Sequence, residues 1–156
     1  MGGSGSEVAQ ARQSPLVRQF SVFLENKIGA LLELTRLLGQ HNIHICGISV
    51  VDTADSAVVR LVVDDPARCH EVLTEAGIAA AESQVVVVEL SQGVEKLGEI
   101  LRLLVTAEVN LQYVYSLMIR PRDHALLAIH CEDPEYARDV LVRGRVTVLS
   151  QQDISR

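Results

Sequence analysis

Residues 20–38, FSVFLENKIGALLELTRLL, join a strand-like segment to an amphipathic helix. Apolar residues alternate in the first part, with the period of a half-buried strand, at Phe20, Val22 and Leu24. The second part carries an apolar stripe at helical spacing, formed by Leu31, Leu34 and Leu38. At the junction, Gly29 lets the backbone approach a bound group, and the N–H groups of a helix start suit an anion. The stretch therefore predicts a strand and a helix joined by a binding loop.

The second half of the chain repeats the first. With a shift of 66 residues, positions 86–104, VVVELSQGVEKLGEILRLL, align with positions 20–38. Beyond the middle hairpin the shift becomes 68, which aligns Asp65-Pro66 with Asp133-Pro134. A match that keeps the same order through four elements indicates an internal duplication.

Each predicted unit has the element order βαββαβ. In the first unit, residues 18–84, we predict strands at 18–25, 43–52 and 56–63, with helices at 29–40 and from Pro66. The last strand is predicted at 84–90, and the same segment either starts the second unit or leads into it. In the second unit, residues 85–156, we predict a helix at 94–107, strands at 109–119, 124–131 and 146–152, and a helix from Pro134. Residues 1–17 have mostly linker composition and are predicted to be a tag or disordered lead.

This element order is that of the ferredoxin-like split βαβ fold. It predicts an α+β protein with an antiparallel sheet and helices on one face. Residues 58–63 and 85–88 are nevertheless predominantly apolar on both faces of the predicted strands. A strand with one face in water would instead have polar residues at every second position. Either a partner covers the second face, or these are central strands whose second face tolerates exposure. We favour a partner, and therefore predict a homodimer or larger assembly.

Composition argues against several classes of protein. The net charge is −6 without a cluster of Lys and Arg, which disfavours nucleic-acid binding, and no apolar run reaches the roughly 18 residues of a membrane helix. No signal peptide is visible, and three cysteines without CxxC spacing predict a cytoplasmic protein with reduced thiols. Metal-ligand spacings, phosphate loops and nucleophile elbows are absent from the sequence, so we predict no metal, no cofactor and no catalytic residue.

The loop Glu25-Asn26-Lys27-Ile28-Gly29, followed by Ala-Leu-Leu, resembles the first loop of the ACT domain, a ligand-binding regulatory module. With the repeat, the whole ordered chain resembles a tandem ACT protein. The resemblance implies two units side by side in one eight-stranded sheet, with four helices on one side. It also implies a small allosteric effector, most often an amino acid, bound at the seam between units.

The resemblance also implies a set of ligand-binding residues. The loop supplies Asn26, Lys27, Ile28 and Gly29, and the start of the second strand in the other unit supplies Asn110 and Leu111. Tyr113 either walls the pocket or packs on the sheet. The equivalent second site is degraded, because Gln92 and Gly93 replace the loop residues, His44 replaces Asn110, and Glu95 would repel a ligand carboxylate.

Two functions follow from this pattern. The first is an amino-acid sensor that binds its effector at the seam between repeats. The alternative is a regulatory or structural subunit that docks on a biosynthetic enzyme and has a vestigial pocket. An enzyme built on the same fold is a third possibility that no residue supports, and the fold alone does not decide function.

Overall fold

The computed structural model describes residues 15–25 and 28–155. Its strands are β1 (Val17–Glu25), β2 (Ile45–Asp52), β3 (Ser56–Val63), β4 (Ala80–Leu90), β5 (Leu111–Ser116), β6 (Ala125–Cys131) and β7 (Val148–Leu149). Its helices are α1 (Ile28–Gln40), α2 (Pro66–Glu75), α3 (Val94–Thr106), α4 (Pro134–Arg143) and α5 (Gln151–Ile154). No helix in these ranges is long and apolar enough to cross a membrane.

The duplicated Asp-Pro pair starts a helix in both units. The Asp65 carboxylate accepts the Arg68 N–H at 3.1 Å, and the Asp133 carboxylate accepts the Tyr136 N–H at 3.1 Å. In each case the proline that follows occupies the first turn, where its missing N–H costs nothing. The sequence-based prediction that a helix begins at Pro66 and at Pro134 is confirmed.

One strand serves both units. The sheet order is β2-β3-β1-β4-β6-β5, with β7 also paired to β4, and every pairing is antiparallel. The first part of β4 pairs with β1, from Ala80 to Val85, and its second part pairs with β6, from Val86 to Leu90. The α+β fold class is confirmed, but sharing β4 gives seven strands instead of the expected eight. The domain boundaries predicted at 17/18 and 84/85 each fall between two paired strand residues, the first in β1 and the second in β4.

The sheet curls until its two edge strands meet. The Met118 N–H donates to the Cys46 carbonyl oxygen at 2.7 Å, just beyond the end of β5 and at the start of β2. Next to this contact, Leu117 packs against Gly47, where an added Cβ would lie 2.2 Å from a Leu117 methyl carbon. A right-handed twist accumulates across many strands and favours such closure. Helices α1 to α4 pack on the outside, and the inner face encloses a core of its own.

The inner core corrects the expectation that a partner covers the second face. Val62, Val85 and Val87 are fully buried there within a single chain. The other unit of the same chain supplies the covering surface, because the curled sheet turns the two inner faces towards each other. The apolar pattern of these strands is therefore no evidence for a homodimer.

The end of the chain also differs from the prediction. The strand predicted at 146–152 is reduced to Val148–Leu149 and is followed by the short helix α5. Ser150 and Asp153 form a reciprocal capping box that starts this helix. Ile154 then enters the inner core. The strand predicted at 109–119 is likewise shorter, since β5 covers only Leu111–Ser116.

Candidate functional site

The predicted binding loop leads into the exposed start of α1. Asn26 and Lys27 lie outside the described residues. Ile28 is 91% exposed, and no atom lies within 4 Å of a Cβ placed on Gly29. The first turn of α1 contains no acidic residue. Its positive dipole end is therefore open to an anionic group in solution.

Asn110 lies just before β5 and is held by an acidic neighbour. Its side-chain amide donates to Glu132 Oε2 at 2.8 Å, and the Glu132 N–H donates to the Asn110 carbonyl oxygen at 3.2 Å. Both residues are exposed. The side-chain oxygens of Asn110 and Glu132 can thus accept hydrogen bonds from a bound cation.

Sequence reasoning missed Glu132, although the repeat contained a signal for it. The shift of 68 residues aligns Asp64 with Glu132. In the first unit, Asp64 contacts His44, which is the residue equivalent to Asn110: the His44 N–H donates to Asp64 Oδ1 at 2.8 Å, and the two side chains meet at 2.9 Å. In each unit, therefore, the residue before the second strand is hydrogen-bonded to an acidic residue that follows the third strand.

Strand directions place the end of β1 and Asn110 at one end of the sheet. Strand β4 is antiparallel to β1, and β5 is antiparallel to β6, which itself pairs antiparallel to β4. Strand β5 therefore runs opposite to β1, so the end of β1 and the start of β5 lie at the same end. Leu111, at this start, is 37% exposed and pairs with Cys131.

The second predicted site lies at the opposite end and has a different shape. His44 lines a cleft of about 750 Å³ together with Arg18, the start of α2 and residues of α5. Gln92 and Gly93 do not line this cleft. Gly93, with φ +67°, is the N-cap of α3, and Glu95 follows in the first turn.

Tyr113 points to the inner face and contacts the first unit there. Gln19, which is fully buried in β1, donates through Nε2 to the Tyr113 hydroxyl at 2.7 Å and accepts the Tyr115 hydroxyl proton at 2.6 Å. The Tyr113 ring stacks on His130 with centroids 4.5 Å apart. Arg60 lies over the Tyr113 ring at 3.7 Å. Tyr113 therefore has the packing contacts of a sheet-face aromatic residue while staying half-buried.

Burial sets the protonation of this inner cluster. It lowers the pKa of His130, with a further contribution from the Arg60 charge. It also raises the pKa of Tyr115, with a further contribution from Tyr113. The imidazole is therefore neutral at pH 7 and the phenol keeps its proton, as the hydrogen bond to Gln19 requires.

The cysteines offer no reactive thiol. Cys46, Cys69 and Cys131 are all buried, and none of them forms a disulfide in the described part of the chain. Burial raises the pKa of Cys69 to about 12 and also raises the pKa of Cys131, which disfavours the thiolate. Within residues 15–25 and 28–155, no three His, Cys, Asp or Glu side chains are grouped to hold a metal ion.

Comparison with known proteins supports the fold. A family model described as an ACT domain pair matches residues 16–156. The solved structure of protein BT0572 from Bacteroides thetaiotaomicron is 27% identical, with a TM-score of 0.82, over 90% of this chain and 96% of that one. The ligand-free regulatory subunit of aspartate kinase from Thermus thermophilus is 14% identical, with a TM-score of 0.57, over 81% and 88% of the two chains.

A further structural match is the structure of the aspartokinase alpha and beta subunits. It is 17% identical, with a TM-score of 0.54, and the match covers 84% of this chain and 93% of that one. At these identities the two aspartate kinase structures are alike in fold only. No curated protein sequence is similar enough to match this chain.

Proposed function

The chain belongs to the ACT domain pair family, and from this premise we propose that it is a regulatory sensor that binds a small amino acid. The effector is proposed to bind where β1 ends and β5 begins. The observation that carries the proposal is that two features lie at the same end of the sheet. One is the start of α1, which has no acidic residue in its first turn, and the other is the Asn110 amide, which is hydrogen-bonded to the Glu132 carboxylate.

The two ends of an amino acid find complementary groups here. Its carboxylate suits the N–H groups at the start of α1, around Gly29. Its ammonium suits the side-chain oxygens of Asn110 and Glu132, which accept hydrogen bonds and add a negative charge. The equivalent helix start of the second unit has Glu95 in its first turn, which repels a carboxylate. We therefore propose one effector site for each chain.

Thermal unfolding with each of the twenty amino acids tests this function. A ligand at about 100 times its dissociation constant stabilises the fold by about 2.7 kcal/mol. For a chain of this size, that corresponds to a rise in melting temperature of roughly 5–10 °C. We expect a small amino acid to give such a rise and Asn110→Ala to remove most of it. Deleting a hydrogen bond to a charged group costs about 1.5–3 kcal/mol.

Further variants separate binding from folding. Glu132→Gln keeps an acceptor for the Asn110 amide but loses its charge, and we expect it to weaken binding. Gly29→Val is expected to block backbone approach. Glu71→Gln is the matched control, because this exposed acid lies on α2 in a weak surface pair with Arg68. The sensor function is wrong if no amino acid shifts the melt, or if Asn110→Ala and Glu132→Gln bind like the control.

A docking function is the alternative, and exposed apolar side chains favour it. Strands β1 and β2 both run antiparallel to β3, so they finish at the same end of the sheet. Large apolar side chains outside the inner face are exposed at or near that end: they are Ile28, Leu32 and Val50. A second copy of the chain or a metabolic enzyme would cover them. We propose the homodimer. Light scattering at micromolar concentration should give twice the chain mass, and a purely monomeric solution would contradict it.

A further inference from the structure

The inner face contains a cation that has no acidic partner. Arg60 is half-buried in β3, and it has no ion pair and no hydrogen bond from its guanidinium within the described part of the chain. Its described contact is with the Tyr113 ring, at 3.7 Å. A cation–π contact uses none of the N–H groups at the edge of a guanidinium, and that edge matches a carboxylate with two parallel hydrogen bonds.

Hydroxyl-bearing residues lie on both strands that flank Arg60, and the Tyr113 ring beneath it bears a third hydroxyl. Arg60 pairs with Ser21 on β1 and with Ser49 on β2, and cross-strand partners project to the same face of a sheet. The Tyr113 hydroxyl accepts from Gln19, and its own proton has no acceptor among the described residues. Three hydroxyl donors and a guanidinium therefore lie together without an acid among them.

The cluster lies at the mouth of the inner face. Below it, Gly47 and Leu117 are in contact and the core consists of buried apolar side chains. Above it, Phe23, two residues beyond Ser21 on the same face of β1, is 52% exposed. The inner face is therefore accessible to solvent at this end, and Arg60 itself is only half-buried.

A second observation also indicates a missing partner. The His130 ring stacks against Tyr113, and its Nδ1 atom is buried without a hydrogen-bond partner in the described part of the chain. Buried polar atoms are rarely left unsatisfied, and each one in a folded protein calls for an explanation. An incomplete hydrogen-bond network beside an unpaired guanidinium is the pattern expected when a ligand completes the site.

We propose that Arg60, Tyr113, Ser21 and Ser49 form a binding site for a small carboxylate at the mouth of the inner face. The guanidinium binds the carboxylate edge-on, and the hydroxyls donate to its remaining lone pairs. The site is distinct from the effector site proposed at Gly29 and Asn110, and it requires no ammonium group on the ligand.

Titration with succinate, a carboxylate without an ammonium group, tests the proposal at constant ionic strength set with sodium chloride. We expect saturable binding that moves the NMR signal of the His130 ring, assigned with a His130→Phe chain, and leaves the other histidine signals in place. Arg60→Met is expected to raise the dissociation constant at least tenfold. Arg60→Lys, which keeps the charge but loses the planar fork, should weaken binding several-fold.

Two controls make the result decisive. Arg102→Met removes an exposed arginine of α3 and should bind succinate like the original chain. Asn110→Ala should also keep succinate binding, which separates this site from the effector site. The proposal is overturned if succinate does not move the His130 signal, if Arg60→Met binds like Arg102→Met, or if inorganic phosphate binds more tightly than succinate.

Discussion

Replacing Gln19 by leucine is expected to lower the free energy of unfolding by roughly 3–4 kcal/mol, because it leaves two tyrosine hydroxyls without their partner. Gln19 is fully buried and bonds to the hydroxyls of Tyr113, Tyr115 and Ser83 at 2.7, 2.6 and 3.1 Å. A buried hydroxyl left unsatisfied costs about 1–3 kcal/mol. Urea unfolding followed by circular dichroism measures the loss.

A double substitution tests whether hydrogen bonding is the cause. Gln19→Leu combined with Tyr115→Phe removes both partners of the shortest of these bonds, and it should recover a large part of the lost stability. Gln84→Leu, at an exposed position of β4, should change stability by less than about 0.5 kcal/mol. If the double variant is as unstable as Gln19→Leu alone, the loss of stability comes from altered side-chain packing and not from the lost hydrogen bonds.

Replacing Gly47 by valine is expected to cost about 3 kcal/mol and to loosen the closure of the sheet. An added Cβ at this position lies 2.2 Å from a methyl carbon and 3.4 Å from Cγ of Leu117, whose side chain is buried against it. Relief requires Leu117 to leave the inner core or the β2 and β5 edges to separate. Hydrogen exchange of the Met118 amide, which bonds to Cys46, distinguishes the two outcomes.

The matched control is Gly98→Val in α3. No atom lies within 4 Å of a Cβ at Gly98, so the substitution meets open space. Valine has a slightly better helix propensity than glycine, and we expect little change or a slight gain in stability. Equal losses at Gly47 and Gly98 would contradict the view that close approach of the two edges requires a glycine at position 47.

Local sequence determined the elements of each unit. Apolar periodicity and the repeated Asp-Pro pair fix where helices and strands form, because caps and side-chain period act within a few residues. The acid-free start of α1 could also be found, since it depends only on the residues of one turn. These features predicted the fold class, and together with the resemblance to the ACT domain they led to Gly29 and Asn110 of the proposed effector site, but not to Glu132.

The tertiary structure decided which inner surfaces meet. A strand that is apolar on both faces requires a cover, but a second copy and the other unit of the same chain bury equivalent apolar area, and periodicity does not distinguish them. The shared strand β4 and the accumulated twist bring Gly47 to Leu117 and Gln19 to Tyr113. Such contacts join residues 70 to 94 positions apart, so their geometry depends on the whole sheet and on no local pattern.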